Sequence, residues 1–114
     1  MGIDRTKAIE YTDPSASACL TATLGGWWKI ECGGRTEYYY IFKNGRACYT
    51  LRAPQSNAAL HIGEGASYWF ERASGRVTFI REKTGTIEDW SPAGTARAFR
   101  ITADGVAGRA TKLF

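Results

Sequence analysis

Turn-forming dipeptides punctuate this chain at short and regular intervals: Gly33-Gly34, Asn44-Gly45, Ser74-Gly75 and Asp104-Gly105, with further breaks at 54–57, 63–65, 84–85 and 91–94. A spacing of roughly 8–12 residues is the rhythm of short strands joined by tight turns, and no helical periodicity or internal repeat competes with it. The balance of 13 glycines against 3 prolines suits the same pattern. Strands are expected at 25–32, 35–43, 46–53, 58–62, 66–73, 76–83, 86–90, 95–103 and 106–114. Eight or nine short strands carry many unpaired edges, which closure into a barrel removes. The expected fold is therefore all-β: a single antiparallel up-and-down β-barrel of about eight strands over 25–114. Residues 1–24 are poor in large apolar groups and form an N-terminal arm, with a turn at Asp13-Pro14 and a short helical turn near 15–22.

Strand register sorts the rings. If Asn44-Gly45 is a two-residue hairpin loop, Lys43 faces Arg46 and counting back pairs Phe42 with Ala47, Tyr40 with Tyr49 and Tyr38 with Leu51. That register turns Tyr38, Tyr40, Phe42 and Tyr49 inward, and leaves Glu37, Tyr39, Ile41, Cys48, Thr50 and Arg52 outward. About Ser74-Gly75 the same count groups Tyr68, Phe70, Val77 and Phe79, with Trp69 and Ile80 on the other face. About Asp104-Gly105 it groups Phe99, Ile101, Ala103, Val106 and Ala110, and Arg97 shares their inward parity. In the first strand Trp28, Ile30 and Cys32 alternate inward.

A chain of 114 residues is one domain and can bury about two thirds of its unfolded surface, so it should fold without staples. The three cysteines, Cys19, Cys32 and Cys48, cannot all pair, and they match neither a zinc ribbon nor a redox Cys-x-x-Cys, so free thiols are expected. No metal and no cofactor are implied, because no glycine-rich loop precedes a helix and zinc would need Cys19, Cys32, Cys48 and His61 to converge. No apolar run is long enough for a membrane-spanning helix. The first residues lack the apolar core of a signal peptide, which makes the cytoplasm the expected location. Gly2 and Thr6 fit an N-myristoylation pattern, though so short a match decides nothing. The net charge of +4 reads as a solvated surface.

Gly26-Trp27-Trp28-Lys29-Ile30 resembles the Gly-x-Trp opening of the calycins, the lipocalins, fatty-acid-binding proteins and avidins, in which the Trp plugs the closed end of a barrel. The resemblance implies that Trp28 closes the base and that an Arg from the last strands covers it, for which Arg97, Arg100 or Arg109 would serve. It also implies a cup lined by Tyr38, Tyr40, Tyr49, Tyr68, Phe70 and Phe79, with Arg97 near an open end. Inward tyrosines each need a partner for the hydroxyl, so they suit an aromatic or amphipathic ligand; alternatively the rings fill the barrel and the hydroxyls reach the rim.

The expected function is binding of a small apolar or aromatic ligand in that tyrosine-lined cavity. A second reading is a small barrel enzyme of the cyclase or isomerase type, moving a proton through His61, Glu88 or a tyrosine. Glu88 shares parity with Trp90, so it looks inward, where an ion pair with Arg97 is its expected state. A third reading is an interaction module or homodimer that docks through exposed Trp27, Tyr39 and Trp69. Those rings among Lys29, Arg35, Arg46, Arg52 and Arg76 also resemble a single-strand surface, but no nucleic-acid motif is present and such a partner is not expected.

Overall fold

The computed structural model describes residues 24–114 apart from Ile62, Arg72 and Ala96, so the arm read over 1–24 lies outside the described residues except for Leu24. Eight strands form: β1 (Gly26–Cys32), β2 (Arg35–Ile41), β3 (Arg46–Thr50), β4 (Glu64–Glu71), β5 (Arg76–Arg81), β6 (Ile87–Pro92), β7 (Ala98–Ala103) and β8 (Val106–Lys112). They pair antiparallel in sequence order, and β8 returns to β1 to close the barrel. Closure leaves no edge, which is why strands of five to eight residues suffice. The expected strand at 58–62 does not form: residues 58–61 are irregular and belong to the long connection between β3 and β4.

The three hairpins that had been read from their turns behave differently. Asp104 and Gly105 both take positive φ, 49° and 77°, so this is a true two-residue loop and Ala103 pairs with Val106 as expected. Tyr68 pairs with Phe79 and Phe70 with Val77, so the expected face of β4 and β5 also holds. At the first hairpin only Gly45 takes positive φ, 82°, and the Phe42 amide donates to the Arg46 carbonyl, which makes a three-residue loop of Lys43-Asn44-Gly45. That one extra residue moves the register, so Ile41 pairs with Ala47 and Tyr39 with Tyr49. The consequence is a correction of the whole of β2: Glu37, Tyr39 and Ile41 are buried inside, and Tyr38, Tyr40 and Phe42 lie on the outer side.

Rings fill the middle of the barrel. Phe79 and Trp90 stack at 4.4 Å between centroids, and around them sit Tyr39, Tyr68, Phe99 and Trp28 at 5.3–5.9 Å from one ring or the other. Each such buried side chain contributes on the order of 1.5–3 kcal/mol. These rings pack on one another where the tyrosine-lined cup was expected. Two hollows lie at the ends of the barrel.

One end, the base, gathers the entry of β1, the turns at 42–45, 73–75 and 93–95, and the end of β8. The opposite end, the mouth, gathers the turns at 33–34, 82–86 and 104–105. The 51–63 connection starts and ends at the mouth, yet it brings the Ala58 carbonyl to Trp27 Nε1 at 2.8 Å, and His61 against Phe42 at 5.4 Å between rings. Trp27 is therefore buried on the outside of the sheet, although it was expected to be exposed. Among the described residues no helix is long and apolar enough to cross a membrane.

Candidate functional site

Alternation along three strands places charged groups where core residues belong. Glu37 precedes Tyr39 and Ile41 on β2, Arg81 follows Val77 and Phe79 on β5, and Glu88 precedes Trp90 on β6, so all three point inward, just below the mouth. Arg81 is the hub. Its two terminal nitrogens grip Glu37 as a fork at 2.6 and 2.9 Å, and its Nε donates to Glu88 Oε2 at 2.8 Å. The Tyr39 hydroxyl donates to the same Glu88 oxygen at 2.7 Å, while Trp90 Nε1 approaches the other at 3.4 Å. The guanidinium also lies over the Tyr49 ring, 4.5 Å from its centroid.

The three charged side chains are 3–8% exposed, so these bonds replace most of their water. Burial opposes the charge on Arg81, but the hydrogen bonds to Glu37 and then the Glu88 carboxylate more than offset it, and the guanidinium is held above its ordinary pKa. Burial first, then the Glu88 carboxylate, pushes the Tyr39 phenol well above its ordinary range. Neither group titrates near neutrality.

Above this floor lies a hollow of about 300 Å³. Its walls combine Ile30, Cys32, Ala103 and Val106 with Arg35, Thr84, Thr86 and Asp104, and the Glu37–Arg81–Glu88 network forms its polar side. Among its lining side chains three carboxylates face two guanidiniums, so the lining of the hollow carries a net negative charge. Cys32 is a free thiol whose pKa is raised by burial and by the Glu88 charge, which keeps it protonated at neutral pH.

The base is built the other way. Trp28 is fully buried against Trp90 and Phe99, and its Nε1 donates to the Leu24 carbonyl at 2.7 Å. Lys112, at the end of β8, sets its ammonium 5.5 Å from the centre of the Trp28 ring and donates to the Gly25 carbonyl. Gly26 takes φ +102°, and a Cβ there would stand 2.9 Å from Lys112 Nζ, so the glycine of the Gly-x-Trp opening gives the backbone its turn and the lysine its path.

The expected site residues scatter. Tyr49, Tyr68 and Phe79 are inside, but their rings pack on other rings, and the Tyr49 and Tyr68 hydroxyls donate to Glu64 (2.6 Å) and to the Phe42 carbonyl. Phe70 is half-buried against the core. Tyr38 and Tyr40 face outward, for the register reason given above. Arg97 is exposed at the base, with one nitrogen 3.5 Å from the Lys112 carbonyl, because it lies in the loop before β7 where strand parity no longer applies. Glu88 is inward as expected, but its partner is Arg81.

His61 and Glu88 do not meet: His61 is exposed beside Phe42, while Glu88 is buried below the mouth. Of the rings expected to dock a partner, Trp27 and Tyr39 are buried, which leaves Trp69, half-buried, on the outer face. Among the described residues no group of three or more His, Cys, Asp or Glu is placed to hold a metal. Sequence reasoning missed Glu37 and Arg81. The available signal was a charged residue at core parity, Arg81 two positions beyond Phe79.

No protein-family model matches the chain, and no curated protein or solved structure matches it.

Proposed function

We propose that this barrel binds one small ligand in its mouth, a molecule with an apolar body and a cationic head. The observation that carries the proposal is the buried Glu37–Arg81–Glu88 network beneath the 300 Å³ hollow. Burying three charges costs several kcal/mol per ion in desolvation, and apolar side chains of similar volume would close a barrel at least as stably. A charged floor under an open hollow is better accounted for by what it meets there. The net negative lining selects a cation, whose ammonium or amidinium would add donors to Glu37, while Ile30, Ala103 and Val106 offer apolar contact.

Support also comes from the likeness to calycins at the base. Gly26-x-Trp28 opens the first strand, and a cation from the last strand covers the ring, with Lys112 in the place where that resemblance implies an arginine. In a barrel plugged at such a base, a ligand that reaches the interior enters from the opposite end.

Titration with benzylamine, benzyl alcohol and benzoate, followed by amide chemical shifts, tests the proposal. Benzylamine is expected to bind at least ten-fold more tightly than the alcohol, with shifts at Ala103, Val106 and Thr86, and benzoate is expected to leave those three residues unshifted. Ala103→Phe fills the hollow and should remove binding while the rest of the spectrum stays folded. Equal affinity for all three compounds, or undiminished benzylamine binding by the variant, contradicts it.

A further inference from the structure

The base carries a second hollow of about 530 Å³, on the outside of the Trp28 closure and separate from the mouth. Its walls are Tyr40, Ile41, Phe42, Leu113 and Phe114, with Asn44 and Asn57 at the edges and two amines, Lys43 and Lys112. No acidic side chain is among its described lining residues. Lys112 is half-buried and makes no ion pair with any described carboxylate; its contacts are the Gly25 carbonyl and the face of the Trp28 ring. Both contacts favour a charged ammonium and neither neutralises it. Burial, and then the nearby Arg97 charge, lower its pKa, which is the signature of a cation short of an anion.

We infer that this groove is a binding site for a small amphipathic anion, an aromatic carboxylate whose ring lies among Tyr40, Phe42 and Phe114 and whose carboxylate pairs with Lys112. Charge complementarity decides the head group, since the described lining residues hold two ammonium groups and no side-chain carboxylate. The walls decide the body, since five of the lining side chains are apolar or aromatic. A volume of 530 Å³ is ample for a bicyclic ring. Lys112 is the principal partner because its ammonium is anchored over Trp28, so little freedom is lost on binding; Lys43 lies on an exposed turn and adds a weaker, screened attraction. The two ends of one barrel would then take ligands of opposite charge.

The test uses the full chain and 1-naphthoate, with 1-naphthalenemethanol as the neutral probe of the same ring. Amide shifts report the place and the affinity. Naphthoate should shift Gly25, Lys112, Leu113 and Phe114 and leave Ala103 and Val106 unmoved, and it should bind at least ten-fold more tightly than the alcohol. Lys112→Met should weaken it at least ten-fold, and Lys112→Arg should restore most of the affinity. Lys43→Met, on the exposed turn, should cost two- to three-fold and keeps the charge claim testable if Lys112→Met loosens the base. Equal binding of the alcohol, no shift at the groove, or shifts confined to the mouth overturns the inference. Since the mouth is read with benzylamine and different residues, failure at either end leaves the other result intact.

Discussion

At the base, Trp28 closes the barrel with a ring that touches Trp90 and Phe99, whereas at the mouth the same layer is occupied by Glu37, Arg81 and Glu88. The first solution draws its stability from apolar burial, with one lysine laid over the ring. The second must recover the desolvation of three charges through the fork on Glu37 and the bond to Glu88 before it contributes anything. The difference teaches that a barrel end can be closed either by apolar burial or by paired charges, and that the second arrangement leaves carboxylates facing a hollow.

The largest test of this contrast is Arg81→Met. It strands two buried carboxylates, and a loss of about 3–5 kcal/mol is expected in urea unfolding. A loss below about 1 kcal/mol would mean that water already reaches Glu37 and Glu88, and that the mouth is not the buried network described. At the base, Gly26→Ala should cost about 1–2 kcal/mol, because φ +102° is a conformation that a Cβ disfavours. An unchanged unfolding midpoint would separate the Gly-x-Trp opening from the closure at Trp28.

The smallest effects come from the phenols, one directed to each end. Burial raises Tyr49 to about 12, helped by its bond to Glu64 at the mouth, and burial raises Tyr68 to about 12 at the base turn. Because both phenols titrate higher in the folded chain than near 10 in the unfolded one, their contribution is complete below pH 10 and is lost as pH rises through about 12. Absorbance at 295 nm should therefore show three late tyrosines, Tyr39 being raised as well, that ionise together with loss of near-ultraviolet dichroism. Tyr49→Phe and Tyr68→Phe should each remove one of them at a cost of about 0.5–1.5 kcal/mol. Ionisation of both near pH 10 in the folded protein would contradict their burial.

Much of the fold was legible because turns and alternation carry it. Asp104-Gly105 specified its hairpin outright, and the inward set of β1, β5 and β7 followed from parity. Register on β2 was not legible, since Asn44-Gly45 serves a two-residue or a three-residue loop equally well and both faces of the strand are aromatic, Tyr38 and Tyr40 against Tyr39 and Ile41. Hydrophobic patterning fixes register only where the two faces differ. The site was less legible for the same reason. Glu37 lies on the face opposite to the expected one, with its strand, and Arg97 sits just before β7, where strand parity does not apply. Glu88 was found because Trp90, two residues on, is unambiguous. The base groove joins Gly25, the 42–45 turn, the 51–63 connection and the chain end at Leu113 and Phe114, segments that only the closed barrel brings together.

The central claim is that the charges below the mouth serve a ligand and not the fold, and one variant addresses it directly. Replacing Glu37→Leu, Arg81→Met and Glu88→Leu together, with Tyr39→Phe so that its hydroxyl is not left without an acceptor, converts the mouth to the chemistry of the base. Urea unfolding and benzylamine titration of that variant should give a folded barrel at or above the original midpoint with benzylamine binding abolished. A variant that cannot fold, or one that binds benzylamine as tightly as the parent, would show that the network belongs to the structure.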